Sequence, residues 1–515
     1  VSKGKLLAVC VVWLMLLSVG VATWKVFFAP AAAVSQAERE RQEAEQARLE
    51  REQRMSRGGA ESRYRTEVTI ALDGFSGYAV LRSPAFAEDL RRQGIRLNLI
   101  DDGADYPARL KSLKEGQADL AVFTIDALVK ASAQAGDLPA TIVAVIDETA
   151  GADAMLAYKQ TYPNVDALND PDTRFVLTPD SPSETLARVV MSRFQLDLLP
   201  DDPYIAVADA AAVVKKYKDS RPTDNLAYVL WEPYVTQMLK NDRVHVVADS
   251  SRFPSTIVDV LVASDDFVTK NPETVVQVVR SYLKANYDHR SDSDRVRLVV
   301  EDSADAGAKL TQEEATRLVE GVWWKNTQEN LAHMGVRTGT RLPHIEDMIS
   351  RVTKLLLESG AINSDPTGGR PNYLYNDNIL QQLSSFHPGE DGEQIRGVSL
   401  PALSDQQWGS LVTVGSARAP TLVFARGTAR LTGRSQSLLD ELAASLESTR
   451  YYVIVRGNAS RRGDPEANKR LAEQRAQQVE RYLVGQGVDA NRIRAIGVEP
   501  SGSTSVSFVL GELPY

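Results

Sequence analysis

A single cysteine stands in this chain, Cys10, and it lies inside an apolar run near the N-terminus. No intramolecular disulfide can form, so the folded part must rest on large apolar cores rather than on cross-links. Histidine is nearly as scarce: His245, His289, His333, His344 and His387 are scattered. No His-Glu-x-x-His zinc pair, Gly-x-Ser-x-Gly elbow or Gly-x4-Gly-Lys phosphate loop occurs. A metal centre or triad would have to be assembled wholly in tertiary space, so neither catalytic residue, metal nor cofactor is expected. The net charge is −9, with basic residues only in short local clusters. That pattern argues against nucleic acid as a partner, since phosphate contacts need a basic face. What is present, 43% hydrophobic and 25% charged residues over 515 positions, suits soluble globular matter of about three domains.

Val1-Ser-Lys-Gly-Lys5 is short and basic, and the chain then runs from Leu6 to Trp24 without a charge. At about 1.5 Å per residue such a helix nearly spans a bilayer, and the basic side stays inside. The expectation is a single-pass inner-membrane anchor with the bulk of the chain in the periplasm; a cleaved signal peptide, ending at the small residues of Ala29-Pro-Ala-Ala-Ala33, is the rival. No carboxylate occurs from Leu6 to Pro30, which excludes proton conduction through this helix. Residues 36–54 alternate Glu, Arg, Gln and Ala, with Arg39/Glu43 and Glu50/Arg54 at i,i+4. This reads as a solvated helical stalk, with too few apolar seam residues to hold a heptad.

From Val68 strands and helices alternate: strand through Leu72, turn Asp73-Gly-Phe-Ser-Gly-Tyr78, helix 86–93, strand 95–100, helix 110–115, buried strand to Phe123, helix from Asp126 and strand 141–146. Such βα alternation predicts a parallel sheet with helices on both faces, with ligands at the carboxyl ends of its strands. Asp73, Phe75, Ser76, Tyr78, Thr124, Asp126, Asp147, Asp153, Ser181, Ser183, Trp231 and Glu232 fall at such ends or in the turns beside them. Each has two readings. Ser181 and Ser183 precede a helix and either meet an anion or merely cap; Phe75, Tyr78 and Trp231 either wall a ligand or pack; the carboxylates either favour a cationic or hydroxyl-rich ligand or act as caps and hinge anchors.

Asp73-Gly-Phe-Ser-Gly-Tyr78, Leu110-x-x-Leu113-x-x-Gly116-x-Ala118-Asp119, Asp147-Glu-Thr-Ala-Gly-Ala-Asp-Ala154, Thr178-Pro-Asp-Ser-Pro-Ser-Glu-Thr185 and Leu230-Trp-Glu-Pro-Tyr234 resemble the solute-binding proteins of ABC importers, in the branch of sulfonate, nitrate and thiamine-pyrimidine binders. The resemblance implies a two-lobed α/β fold of type II with a small-molecule cleft, a lobe crossing near residues 147–153, a return near 257–262, and an ABC permease as partner. Of that list, it takes Asp73, Phe75, Ser76, Tyr78, Thr124, Asp153, Ser181, Ser183, Trp231 and Glu232 as the ligand-binding set.

Near the C-terminus a strand, Tyr451-Tyr-Val-Ile-Val-Arg-Gly457, leads through a polar loop into a helix whose Ala472, Ala476, Val479 and Leu483 make an apolar stripe of helical period. Arg475 falls inside the stripe, so its guanidinium snorkels out or meets an anion. Gly457, Gly463, Asn468, Leu471, Arg475-Ala476, Val479, Tyr482-Leu483 and Gly487-Val488 resemble the OmpA-like domain, an α+β unit. The resemblance implies peptidoglycan contact through Asn468 and Arg475. Where the family has an aspartate this chain has Ser460, and the family's closing Asn-Arg-Arg-Val run is absent. A neutral hydroxyl cannot replace the charge-assisted bond of a carboxylate. The plan is an anchor over residues 1–30, a stalk over 31–65, a solute-binding domain over 66–360, a Gly/Pro-rich linker over 361–404 and an OmpA-like domain over 405–515. It describes a tethered receptor or, alternatively, an envelope scaffold or sensor whose cleft and wall site are vestigial.

Overall fold

In the computed structural model the structure describes residues 64–305, 310–340, 342–396, 400–419, 421–447, 449–458, 460, 462–497 and 505–513. The apolar run and the stalk lie outside them. Among the described residues no helix is long and apolar enough to cross a membrane.

The first lobe opens with β1 (Thr66–Leu72), α1 (Pro84–Arg92), β2 (Ile95–Asp101), α2 (Tyr106–Lys114), β3 (Leu120–Thr124), α3 (Ile125–Ala135) and β4 (Ala140–Thr149). Local signals fix these boundaries. Pro84 starts α1 behind Ser83, whose hydroxyl accepts the Phe86 amide at 3.2 Å, as a preset φ and an N-cap require. Asp105 caps α2 in the same way, and Gly136 ends α3 in the left-handed region. Every residue of β3 and β4 is buried, which is why both read as near-continuous apolar runs.

The chain crosses after β4 into the second lobe, which holds β5 (Asp153–Tyr158), β6 (Arg174–Leu177), α4 (Pro182–Arg193), β7 (Tyr204–Ala206), α5 (Ala210–Lys218), β8 (Leu226–Trp231) and β9 (Val244–Asp249). It returns with β10 (Val258–Ser264), and α6 (Pro272–Asp288), α7 (Asp292–Asp305), α8 (Gln312–Glu320), β11 (Val322–Trp324), α9 (Thr327–His333) and α10 (Ile345–Glu358) complete the first lobe. Strand order is β11-β4-β10-β3-β1-β2 in the first sheet and β7-β6-β8-β5-β9 in the second. The expected parallel sheet is therefore mixed. β10 lies antiparallel between β3 and β4, and β5 lies antiparallel between β8 and β9. In each lobe the strand that has just crossed enters the sheet against its neighbours. Local patterning cannot show this, because direction depends on where the chain comes from.

Residues 361–396, read above as linker, lie against the first lobe. Leu374, Ile379, Leu380 and Leu383 are buried in its core, and Tyr375 bridges Ile142. Widely spaced apolar residues between Gly and Pro gave no periodic signal of this packing.

In the C-terminal domain β12 (Val412–Ser416), α11 (Gly433–Glu447), β13 (Tyr452–Gly457), α12 (Pro465–Gly485), β14 (Ile493–Gly497) and β15 (Val506–Glu512) form a sheet of order β12-β15-β13-β14 with α12 packed on β13 and β14. The predicted stripe is the buried face of α12. Gly457 permits the close approach of helix and strand: a Cβ there would stand 1.9 Å from the Ala472 carbonyl oxygen. The core of this domain runs on into that of the second lobe. Tyr451 meets Phe194 and Phe253 edge-on at 5.9 and 6.0 Å. Main-chain bonds cross the seam, Arg418 N to Arg193 O and Arg450 N to Arg252 O, both at 2.7 Å.

Candidate functional site

Between the lobes lies a pocket lined by Asp73, Phe75, Tyr78, Ala104, Tyr106, Thr124, Thr149, Asp153, Pro182, Trp231, Ile257 and Asp259. The fold explains this set. Asp73 follows β1, Thr124 and Thr149 end β3 and β4, and Trp231 ends β8. β10 and β5 run backwards, so their first residues, Asp259 among them, reach the same edge. The cavity volume is about 30 Å³, room for about two water molecules. The lobes are drawn together at its rim: Lys130 of the first lobe pairs with Glu184 at 2.8 Å and Asp180 at 2.6 Å in the second, and Arg188 donates to the Ser359 carbonyl at 2.7 Å.

The structure brings together Asp73, Phe75, Tyr78, Thr124, Asp153 and Trp231 of the ten expected ligand residues. Ser76 is buried in the turn beneath the pocket. Ser181 donates its hydroxyl to the Thr178 carbonyl at 2.7 Å, and Ser183 is wholly buried. Glu232 turns onto its own chain, accepting the Thr236 amide at 3.0 Å and hydroxyl at 2.8 Å. The amide of Asp180, just before α4, is taken by Glu184 at 2.8 Å, so the protein's own carboxylate occupies the start of this helix. Tyr106 and Asp259 were missed. Asp259 had a signal, a lone charge in the apolar run Val258-Asp-Val-Leu-Val-Ala263; Tyr106 opens α2 directly after Asp102-Gly-Ala-Asp105, whose composition marks only a turn.

Electrostatics divide the site in two. Asp73 is matched: Arg109, 1% exposed, donates to it at 2.9 Å, to Asp102 at 2.7 Å and to the Val122 carbonyl. Its guanidinium also stacks on Tyr106 and Phe123 at 4.9 and 5.5 Å. Burial pulls the Arg109 pKa down, but Asp102 and Asp73 more than restore it. Asp153 and Asp259 form no ion pair among the described residues. Burial pushes Asp153 up to about 7, with the Thr149 hydroxyl working against the rise and neighbouring Asp126, Asp147 and Glu232 adding to it. Burial and the Asp147 carboxyl, its direct cross-strand neighbour, raise Asp259 far above the usual range while it accepts the Tyr78 hydroxyl.

On the C-terminal domain Arg475 is 5% exposed, donates to the carbonyls of Thr428 at 3.1 Å and Asn458 at 3.4 Å, and lies over Phe424 at 4.9 Å. Burial lowers its pKa. Asn468 donates to the Arg462 carbonyl at 2.9 Å, and Ser460 accepts the Arg462 amide at 3.0 Å, closing the loop above α12. Residues 423–503 match the model of the OmpA family. The chain ends in an OmpA-like domain. This domain is similar to the peptidoglycan-associated lipoprotein of Haemophilus influenzae, 39% identical over 80 residues, 15% of this chain and 52% of that protein. It is also similar to the peptidoglycan-associated lipoprotein of Pseudomonas putida, 35% identical over 89 residues, 17% and 54% of the two chains. The chain spans about half the length of these curated relatives.

Ahead of the OmpA-like domain, similar solved structures include the alkanesulfonate-binding protein SsuA of Xanthomonas axonopodis pv. citri bound to MOPS, at 14% identity and TM-score 0.45, covering 58% of this chain and 95% of that one. The periplasmic nitrate-binding protein NrtA of Synechocystis PCC 6803 matches at 12% identity and TM-score 0.47, covering 62% and 88%. The two-lobed architecture itself rests on the strand orders and crossings given above.

Proposed function

We propose that this protein is a periplasmic binding protein that captures a small molecule between its lobes while its OmpA-like domain associates with the cell wall. In this reading residues 6–24 tether it to the inner membrane, and an ABC permease is a candidate partner. The observation that carries it is the interlobe pocket: both lobes contribute at their strand ends, and ion pairs across the rim can hold the closed form. Opening would break the Lys130 pairs and admit a ligand that the present volume excludes. A thermal-shift screen of the full chain in detergent tests capture, because a ligand that binds only the folded state raises its apparent stability. Stabilisation by one class among amino acids, sulfonates, nucleobases, polyamines and oxyanions is expected.

A second reading, an envelope scaffold or sensor, is favoured by the continuous core between the second lobe and the OmpA-like domain, and silence across that screen would put it in front. For the wall, Arg475→Ala is expected to weaken pull-down by purified peptidoglycan several-fold with the fold retained; an unchanged pull-down removes this residue from wall binding.

A further inference from the structure

Three carboxylates line the cleft, Asp73, Asp153 and Asp259, and no Lys, Arg or His is among the lining residues. Arg109, whose guanidinium meets the cleft's Asp73, is buried and also bonded to Asp102 and the Val122 carbonyl. It is therefore not free to receive an oxyanion. Asp153 is 2% exposed, lines the cavity and forms no ion pair among the described residues. Tyr106, 5% exposed, lines the same cavity, and its hydroxyl makes no hydrogen bond among the described residues. Around these oxygens stand the rings of Phe75, Tyr78 and Trp231. Once Asp153 ionises, an anion here would meet like charge, whereas a cation would find a carboxylate and aromatic rings to lie against.

We propose that the ligand of the cleft is a small organic cation, an ammonium or amidinium, whose charge is held by Asp153 and whose apolar body lies against Trp231 and Phe75. This rests on the capture reading above and names its ligand class. Asp153 acts as the counter-ion, and Tyr106 offers its hydroxyl oxygen to an N–H of the ligand. The groups acting on Asp153 are the Thr149 hydroxyl, which lowers it, and the acids Asp126 on α3, Asp147 on β4 and Glu232 after β8, which raise it; Asp153 in turn raises Asp259 on β10. Among the basic groups nearby, Lys130 pairs with Glu184 and Asp180, and Lys325 with Glu148; Arg295 donates to Asn286 at 3.0 Å and its charge acts on Asp147. Burial among acids holds Asp153 protonated up to about pH 7. Cation binding must therefore displace a proton, and affinity rises with pH.

Calorimetry on the full chain in detergent decides this, with ethylammonium, tetramethylammonium and guanidinium as cations, nitrate and methanesulfonate as anions, and uracil as a neutral probe. At least one cation is expected to bind, with Kd falling about tenfold per pH unit between 5 and 6 and levelling by pH 8. Asp153→Asn should weaken it tenfold or more, and Tyr106→Phe, which deletes one oxygen, should weaken a hydrogen-bonding cation such as ethylammonium about three- to tenfold. Binding confined to an anion or to uracil, or cation affinity that falls as pH rises, overturns the cation class and leaves capture standing. Silence from all six probes overturns the cation class, and capture falls with it if the wider metabolite screen is also silent.

Discussion

Asp147 and Glu148 are neighbours on β4, and burial acts on both; their charges nevertheless end in opposite states. Glu148 receives Lys325 at 2.7 Å, the Ser255 amide at 2.9 Å and Arg450 of the C-terminal domain at 3.6 Å. Burial pushes its pKa up, but Lys325 and Arg450 outweigh that and hold it at about 2. Asp147, whose side chain leaves the strand on the other face, meets Asp259 across the sheet, and burial raises it. Only a few residues away Asp153 shares that fate. Burial does not decide ionisation; the partner does. On one face of this sheet stands a finished ion pair, whereas Asp147, Asp153 and Asp259 form no ion pair among the described residues.

Breaking the finished side should cost most. Lys325 is fully buried, its ammonium also 3.2 Å from the centre of the Trp323 ring. Lys325→Met leaves Glu148 charged and buried, with an expected loss of about 3–5 kcal/mol, read as a lower urea midpoint for the first lobe. The unfinished side predicts an opposite response to pH. Asp153 binds its proton more tightly folded, at about 7, than at its ordinary 3.8. Its contribution to stability is therefore greatest below pH 4 and is lost as pH rises to about 7. Glu148, at about 2 against 4.5, contributes stability above pH 4.5 that is lost as pH falls toward 2. Asp153→Asn should accordingly raise Tm at pH 8 by a few degrees and change it little at pH 4; scanning calorimetry at both values checks the sign. The smallest effect belongs to the outer partner. Arg450→Ala removes a contact at 3.6 Å from a residue whose side chain is 18% exposed, expected to cost about 1 kcal/mol and to lift the Glu148 pKa, observable by carboxyl NMR.

Much of this could be read in the chain. The Ala472, Ala476, Val479 and Leu483 stripe and the place of Arg475 within it follow from a 3.6-residue period, and α12 buries those residues. Six residues of the pocket fall at strand ends or in the turns beside them, and the crossings between lobes followed from the resemblance to solute-binding proteins. What failed were features that depend on distant neighbours. Ser181 satisfies itself on Thr178 rather than facing the cleft; residues 361–396 pack on the first lobe without a period to announce it; Asp259 joins the pocket because β10 enters the sheet backwards.

The sequence by itself determined the order of strands and helices and the lack of intramolecular disulfides, because each is written in spacing and in residue type, and its motifs resembled those of a known family closely enough to give the kind of domain at the C-terminus. The tertiary structure alone decided which acids acquire a partner. Lys325 reaches Glu148 from 177 positions away and Arg109 reaches Asp73 from 36, whereas no such cation among the described residues reaches Asp153. Ionisation in a buried site depends on distances of a few ångströms, and only the folded chain sets those.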